Sequence, residues 1–259
     1  MVAGYQQLTD SEWQIISAHL NLRRKRRYPL RQVLDAVRYV CRTGCQWRCL
    51  PGSFPPWPLV YYYFARWQAD GTWHRLSQAS NRADRQARHR PPTPSLGLVD
   101  AQSVNLAPRL GQQRGLDAHK WVNGRKRQVL CDTGGRIWRV AVHAANGHDS
   151  RAAQPLLPPR HGLRPAWASR LRIILTDKAY RGRFTRQVQA LGWQHQVASR
   201  PPSKERGFVP VAKRWVIERT FAWLKCFRRL AVDYERSPAS HEAWLLVANL
   251  TMSLRRATT

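Results

Sequence analysis

The sequence predicts an α/β domain preceded by a small module made only of helices. Two observations support this fold class. After residue 95 the apolar pattern predicts, in this order, a strand, a hairpin, a helix, a strand, a helix, a strand and a helix. This order fits a sheet covered by helices. Before residue 80 the apolar residues instead recur at helical spacing. We therefore predict a helical module at 1–79, a linker at 80–95 and the α/β domain at 96–259.

Three short helices are predicted in the N-terminal module. Thr9 or Asp10 is a suitable N-cap for the first, the second begins after Pro29 and stops at Gly44, and the third spans Val60–Trp67. Their basic and aromatic residues fit a helix-turn-helix-like DNA-binding module. A plain helical bundle that only packs against the next domain fits about equally well.

The polar, basic and proline-rich stretch at 80–95 is predicted to be a linker, or a helix tail followed by a linker. The elements after it are short and alternate in type. The predicted strands are Leu96–Val104, Arg127–Asp132, Ile137–Ala144, Leu171–Asp177 and Trp193–Ser199, and the predicted helices are Arg151–Leu157, Arg183–Leu191, Val211–Leu230 and His241–Arg255.

The charge balance indicates a polyanionic partner. The chain has 44 Lys and Arg against 15 Asp and Glu, a formal charge of +29 spread along its length. A globular chain this basic repels itself unless a polyanion neutralises it, and nucleic acid is the usual one. No segment reaches the length of a membrane span, and an odd number of cysteines, five, favours the reducing cytoplasm. We expect a cytoplasmic protein that acts on DNA in the nucleoid and binds no membrane.

Two predicted strands end in a carboxylate, at Asp100 and at Asp177. Taken singly, such an acid is more often a helix cap or a turn residue. Together they favour a functional site, because the predicted order of elements allows the two strands to lie side by side, with the helix that carries Glu218 packed over them.

Val211–Leu230 forms one basic amphipathic helix in which Arg214, Glu218 and Lys225 fall close to one face. One interpretation is a solvated helix with ordinary ion pairs. The other is a metal-binding carboxylate set in a phosphate-binding surface. Phosphodiester chemistry needs such acids, because two Mg²⁺ ions about 3.5–4 Å apart can activate the attacking oxygen and stabilise the leaving one.

Over nearly its whole length the chain resembles bacterial DDE transposases of insertion-sequence family 5, within the broader family 4/5 superfamily. The N-terminal module matches from Arg27 to Trp73. In the second part the matching segments are VDAQSV, GLDAHKWVNGRKRQVLCDTGG, AANGHDS, LTDKAYRG and RWVIERTFAWLKCFRRLAVDYE.

This resemblance implies a ribonuclease H-like fold, a metal-binding catalytic triad of Asp100, Asp177 and Glu218, and Mg²⁺ as the cofactor, for which Mn²⁺ can substitute. The family signature is Tyr-x2-Arg-x3-Glu-x6-Lys. Arg214, Glu218 and Lys225 match it, whereas Val211 stands at the Tyr position. In the implied roles, Asp100 serves both metals, Asp177 and Glu218 one each, and Arg214 and Lys225 hold DNA phosphates.

Further candidates for DNA contact lie in a basic stretch, at Lys120, Arg125, Lys126 and Arg127. They are either solvated surface or phosphate contacts, and the net charge favours contact.

Three other acids, Asp117, Asp132 and Asp149, are assigned structural roles. Asp117 falls in an irregular segment, Asp132 precedes the hairpin turn, and Asp149 belongs to a helix cap.

The leading hypothesis is a transposase that binds the terminal inverted repeats of its element, cleaves there and joins the freed 3′ ends to target DNA. Two ends cut together imply at least a homodimer on DNA. A non-catalytic DNA-binding derivative and a metal-dependent nuclease are the alternatives. The intact acidic triad opposes the first alternative, since binding alone does not require it, and joined products distinguish a transposase from a nuclease.

Overall fold

The structure is a computed structural model that describes residues 5–108, 112–159, 163–198 and 215–259. It divides into two compact units. The helical unit comprises Met1–Pro92 together with Leu224–Thr259, and the sheet unit comprises Thr93–Trp223. The predicted domain at 96–259 differs from this division, because its last 36 residues group with the N-terminal helices.

The helical unit confirms the predicted N-terminal helices and their end signals. Thr9 caps the first helix in a capping box with Glu12, and Gly44 ends the second in the left-handed conformation at φ 72°. The helices are α1 (Asp10–Ser17), α2 (Leu30–Thr43), α3 (Trp57–Ala69), α4 (Thr72–Ala87) and α8 (Pro238–Thr258).

The last eight residues of α4 occupy the first half of the stretch at 80–95, which confirms the helix tail of the alternative prediction. The start of α4 at Thr72, as an element separate from α3, was not predicted. The reason lies in its buried face. Trp73 and Leu76 begin that face, but polar residues continue it: Ser77, Asn81 and Asp84 are all 1% exposed or less. A hydrophobic pattern cannot reveal a helix whose buried positions are polar, so this segment resembles a linker in sequence.

The polar face of α4 pairs with polar residues of α8. Asn249 donates through Nδ2 to Ser77 Oγ at 2.8 Å and to Asn81 Oδ1 at 3.0 Å. One turn further along α4, Asp84 Oδ2 lies 2.9 Å from Arg256 Nε of α8. These pairs explain why α8 belongs to the helical unit, since buried polar groups need partners and those of α4 find them on α8.

The sheet unit contains a six-stranded mixed sheet with β1 at its centre. Strand β1 is antiparallel to β3 on one side and parallel to β5 on the other; β6 extends the sheet parallel to β5, and β4 and β2 pair with β3. The strands are β1 (Leu96–Asn105), β2 (Gly115–Asp117), β3 (Val122–Cys131), β4 (Ile137–Ala144), β5 (Ile173–Thr176) and β6 (Gln194–Val197). The predicted β3–β4 hairpin and the side-by-side placement of the two Asp-ending strands are confirmed.

Three helices accompany the sheet: α5 (Asp149–Ala152), α6 (Arg183–Ala190) and α7 (Trp215–Lys225), whose last two residues pass into the helical unit. Helix α5 is shorter than predicted because Pro155 lacks the amide proton that a longer helix needs, and the chain continues as one 3-10 turn. The predicted start of α7, at 211–214, lies outside the described residues, and its described end comes at Lys225, before a separate 3-10 turn at Arg228–Leu230.

One face of the sheet carries the main apolar core of this unit. Val99, Leu130 and Ile174 from three adjacent strands pack there against Trp138 and Phe184, all 2% exposed or less. Side chains alternate along a strand, so the neighbours of these residues lie on the opposite face. In the described part of the chain no helix is both long and apolar enough to cross a membrane.

The α4–α8 pairing predicts a large stability effect at Asn249. We expect Asn249→Ala to lower the free energy of unfolding by about 1–3 kcal/mol, because it leaves buried polar groups of Ser77 and Asn81 without this partner. Urea unfolding of the full chain measures the effect. Arg255→Ala removes an exposed side chain from the same helix and serves as the control; equal midpoints for the two variants would contradict the role given to Asn249.

Candidate active site

The pairing of β1 with β5 places Asp100 beside Asp177. Leu96 pairs with Ile173 and Leu98 with Leu175, in parallel register. The paired register ends at Leu98 and Leu175, and its offset of 77 residues, continued by two positions, leads from Asp100 to Asp177, which directly follows β5. Both acids follow a paired leucine by two residues and therefore lie on one face of the sheet, opposite the apolar core. The structure thus brings these two predicted site residues together.

Both carboxylates line one small pocket, Asp100 from the middle of β1 and Asp177 from just after β5. Each is half-buried and is oriented by a backbone amide: Asp100 Oδ1 accepts from Ala101 at 2.7 Å, and Asp177 Oδ1 accepts from Ala179 at 2.9 Å. The other residues around the pocket are mostly apolar: Leu98, Val99, Leu175, Thr176, Ala198 and Ile217. We call this the aspartate pocket.

Helix α7 covers the face of the sheet that carries the aspartate pocket. Ile217 lines the pocket and is 2% exposed. One turn later, Thr220 Oγ1 donates to Val216 O at 2.8 Å and lies 3.5 Å from the carbonyl oxygen of Gly135, in the β3–β4 turn. The helix is therefore anchored through the turn that the sequence Thr133-Gly134-Gly135 creates.

Burial and then the negative charge of Asp132 raise the pKa of the Cys131 thiol well above its ordinary value, and Asp100 adds to the effect. Cys131 pairs with Leu98 across β3 and β1, so it belongs to the face beneath α7. A thiol that stays protonated is a poor metal ligand and a poor nucleophile. Cys131 is accordingly a packing residue of this face.

Glu218 is not brought into the aspartate pocket. It follows Ile217 directly, but one residue of α-helix turns the side chain by about 100°, away from the direction of Ile217. Glu218 is exposed. Over the described ranges, no three His, Cys, Asp or Glu side chains are grouped closely enough to hold a metal ion. The structure therefore unites two of the three predicted acids.

The predicted DNA contacts differ in exposure. Arg125 and Arg127 are 1% exposed or less. Arg127 Nε donates to Gln102 Oε1 at 3.0 Å, and Arg125 Nε donates to the carbonyl oxygen of Gln112 at 3.1 Å. These internal contacts correct the prediction, because a buried guanidinium bonded within the protein cannot contact DNA from that position.

Lys126 is also held internally, by Asp149 at 3.3 Å and by the carbonyl oxygen of Gly147 at 3.3 Å. Lys120 and Lys225 are exposed, as a DNA contact requires, and Arg214 lies outside the described residues. Arginine is common in DNA-binding sequences and also common where buried polar groups must be satisfied, so composition could not separate these roles.

The three acids that were assigned structural roles have internal partners. Asp132 is 1% exposed and accepts from the amides of Gly134 and Arg136 at 2.8 and 3.2 Å. Asp149 pairs with Lys126, and Asp117 accepts from the amide of His119 at 3.2 Å.

A polar contact in the core lies behind the aspartate pocket, and sequence reasoning missed it. The Tyr180 hydroxyl donates to Gln128 Oε1 at 2.7 Å, and Gln128 Nε2 donates to Asp149 Oδ1 at 3.2 Å. Burial raises the pKa of Tyr180 well above its ordinary value, and the charges of Asp100, Asp149 and Asp177 raise it further. The Tyr180 hydroxyl therefore stays protonated and continues to donate its hydrogen bond to Gln128. Because Tyr180 lies three residues after Asp177, this bond holds the backbone that follows Asp177 in place.

The comparisons with known proteins identify the family of the chain. Residues 8–77 match the family described as "Putative transposase of IS4/5 family". Residues 91–253, more than half of the chain, match the family described as "Transposase DDE domain". The chain belongs to the DDE transposase family, of the IS4/5 type.

A curated relative is 34% identical over 126 residues, the "Putative transposase for insertion sequence element IS402" of Burkholderia cepacia. The match covers 47% of this chain and 59% of the relative, so the chain spans less than two thirds of that protein. No solved structure matches the chain.

The contact between the β3–β4 turn and α7 predicts a stability effect with a matched control. Gly135 and Gly192 both have positive φ, at 78° and 74°, so alanine costs about 1–2 kcal/mol of conformational energy at either position. A Cβ on Gly135 would in addition lie 2.6 Å from Thr220 Oγ1, whereas one on Gly192 would meet nothing within 4 Å. We expect Gly135→Ala to lower the free energy of unfolding more than Gly192→Ala does, by about a further 1–3 kcal/mol.

Chemical denaturation of the two variants measures the difference. Adding Thr220→Ala to Gly135→Ala removes the close contact, so a double-mutant cycle should show favourable coupling between the two substitutions. Equal losses at Gly135 and Gly192, without coupling to Thr220, would contradict the anchoring of α7 at this turn.

Proposed function

We propose that this protein is the transposase of an insertion sequence: it binds the terminal inverted repeats, cleaves the DNA there and transfers the freed strands to a target. The observation that carries the proposal is that Asp100 of β1 and Asp177, which directly follows the adjacent parallel strand β5, line one pocket beneath α7. Membership in the DDE transposase family gives this pair its chemical context. The mixed sheet, antiparallel on one side of β1 and parallel on the other, supports a ribonuclease H-like fold.

The aspartate pocket suits a divalent metal ion. Its polar side chains are hard oxygen donors, which Mg²⁺ prefers, and the nearby Cys131 thiol is kept protonated. We propose that Asp100, Asp177 and Glu218 hold two Mg²⁺ ions, with Asp100 shared and with Mn²⁺ able to substitute. When bound, such ions activate the attacking hydroxyl and stabilise the negative charge on the leaving oxygen.

The protein's own contribution is to hold the acids in place and to limit water. Asp100 lies within a strand that is hydrogen-bonded on both sides, and a backbone amide orients each carboxylate. Leu98, Leu175 and Ile217 form apolar walls around the pocket. Metal-dependent phosphoryl chemistry requires metal ligands that are held rigidly, because small displacements of the ligands lower the rate.

Glu218 is the third acid of the proposal, and a change in α7 has to bring it to the other two. Its neighbour Ile217 already lines the aspartate pocket, so the backbone of Glu218 is one residue away from the pocket wall. In the described residues Glu218 belongs to no metal-binding group. We therefore propose that metal and DNA together draw Glu218 into the site, because the ion supplies the attraction that the apo protein lacks.

The helical unit is proposed to recognise the transposon ends, through the module at 1–79. On α3, Tyr61 and Tyr62 are 48% and 52% exposed, although aromatic side chains of this size are usually buried. Arg66 donates to the Tyr62 hydroxyl at 3.1 Å, and Arg26 donates to that of Tyr63 at 3.2 Å. Exposed aromatic rings among arginines suit contact with DNA bases and phosphates. We also propose that Lys120, Arg214 and Lys225 contact DNA phosphates. The active form on DNA is at least a homodimer. The reaction takes place on chromosomal DNA in the cytoplasm.

Loss of either aspartate is expected to abolish the chemistry while sparing DNA binding. Asp100→Asn and Asp177→Asn should each lower Mg²⁺-dependent cleavage and joining by more than about a thousandfold, because a neutral amide is a weak metal ligand. The substrate is labelled DNA that carries the repeats flanking the protein's own gene, and the products are separated on a denaturing gel. Asp10→Asn, which neutralises an acid with an 87% exposed side chain in the helical unit, is the control and should cut normally. Normal cutting by either pocket variant would refute the assignment.

Direct metal binding gives a second test that does not depend on activity. We expect the full chain to bind Mn²⁺, detected by electron paramagnetic resonance, and Asp100→Asn to weaken that binding by more than about tenfold. Glu218→Gln should weaken it more in the presence of the terminal DNA than in its absence, because DNA is proposed to bring Glu218 into the site. An equal effect of Glu218→Gln under both conditions would contradict that part of the proposal.

A further inference from the structure

A second pocket of the sheet unit is lined almost entirely by cationic groups and hydrogen-bond donors. It has a volume of about 780 Å³ and opens to solvent beside α5 and α6. The residues that line it are His148, Ser150, Arg151, Arg183 and Arg186. We call it the arginine pocket. None of these five residues lines the aspartate pocket.

Among the residues that the structure describes, the three arginines of this pocket have no acidic partner. Within the described part of the chain, Arg151, Arg183 and Arg186 are side chains without an ion pair or side-chain hydrogen bond, and all three are exposed. Several arginines elsewhere in the same unit are engaged internally: Arg136, for instance, lies 3.5 Å from Asp132. Three unneutralised guanidinium groups around one cavity repel each other, so an anion that enters the pocket is attracted by all of them.

His148 adds a fourth donor. Its Nδ1 accepts from the backbone amide of Ser150 at 3.3 Å and lies 3.0 Å from the Ser150 hydroxyl. A neutral imidazole that accepts through Nδ1 carries its proton on Nε2. The hydrogen bond to Ser150 therefore selects the tautomer in which Nε2 is a donor.

We propose that the arginine pocket binds phosphate groups of the DNA backbone. Guanidinium groups match phosphate oxygens with paired hydrogen bonds, and the pocket offers three of them. The described residues that line it include neither an aromatic ring nor an aliphatic side chain. A free nucleotide would need such a surface to hold its base, whereas a phosphodiester backbone does not. This inference rests on the proposed function only in taking DNA as the source of the phosphates.

The chain connection limits how far the arginine pocket can lie from the aspartate pocket. Arg183 follows Asp177 by six residues, and six residues span at most about 20 Å between Cα atoms. One DNA strand advances about 3.4 Å per nucleotide, so this distance corresponds to about six nucleotides. This bound allows a strand that is cut at the aspartate pocket to reach the arginine pocket within about six phosphates of the cut.

The salt dependence of DNA binding tests the proposal in the full-length protein. The probe is duplex DNA with the repeats that flank the protein's own gene, and chelator is present so that no cleavage occurs. The slope of log K against log salt concentration is negative, and each lost phosphate contact should reduce its magnitude by about 0.9. We expect Arg186→Gln to reduce this magnitude by about 1, and Arg183→Gln with Arg186→Gln by about 2, with affinity at low salt reduced more than about tenfold.

Arg172→Gln is the matched control. Arg172 is exposed, belongs to the same unit and directly precedes β5, at the opposite end of that strand from Asp177. The Arg172→Gln substitution removes the same charge and should leave the slope of log K against log salt concentration unchanged. If the pocket variants keep the wild-type slope, or if Arg172→Gln changes it as much as Arg186→Gln does, the proposal is wrong.

Replacing one charged phosphate at a time by a neutral methylphosphonate along the DNA end locates the phosphate that the arginine pocket contacts. Neutralisation within about six nucleotides of the cut should weaken wild-type binding but not binding by the double arginine variant. If instead a mononucleotide binds the wild type and not the double variant, while the salt slope on DNA stays unchanged, the ligand is a free nucleotide and the DNA assignment is overturned. These binding results are independent of the cleavage test, so normal cutting by Asp100→Asn would refute the proposed chemistry without altering them.

Discussion

The parallel pairing of β1 with β5 is the constraint on which the candidate active site depends. Asp100 and Asp177 are 77 positions apart in the chain, and only the register of these two strands makes them neighbours. A shift by one residue would turn one of the acids to the apolar face, next to Val99 and Ile174. The apolar face therefore keeps the two acids together, because burial of its side chains fixes the register of β1 and β5. Helix α7 then covers the acidic face through Ile217 and Thr220.

The arginines of this basic chain fall into two physical groups. Arg125, Arg127 and Arg136 are buried and satisfy carbonyl, amide and carboxylate oxygens inside the sheet unit. Arg151, Arg183 and Arg186 are exposed and, within the described ranges, have no such partners. Of these six arginines only the exposed three are available to a polyanion, so part of the formal charge of +29 cannot contact DNA. Buried arginines persist because removing one would leave its partners unsatisfied, at a cost of several kcal/mol.

The division into two units follows from how polar groups are satisfied. Helix α8 is the last element of the chain, yet its Asn249 and Arg256 pair with residues of α4. Apolar contacts act with these pairs: the Trp244 ring of α8 stacks on Phe64 of α3 with centroids 4.3 Å apart. The sheet unit is thus an insertion between α4 and the C-terminal helix, and both ends of the described chain belong to the helical unit.

Local sequence signals predicted the type of most elements, most helix ends, the hairpin and the adjacency of the strands that carry Asp100 and Asp177, because caps, turn residues and short apolar runs act locally. They also carried the family resemblance that the comparisons confirm. Long-range packing instead determines which charged residues are buried, that α4 is a helix, and that α8 belongs with the N-terminal helices. Those outcomes depend on partners distant in the chain, such as Gln102 for Arg127 and Asn249 for Asn81, and no local pattern encodes them. The position of Glu218 is of the same kind, because it depends on how α7 lies on the sheet and not on the spacing within the helix.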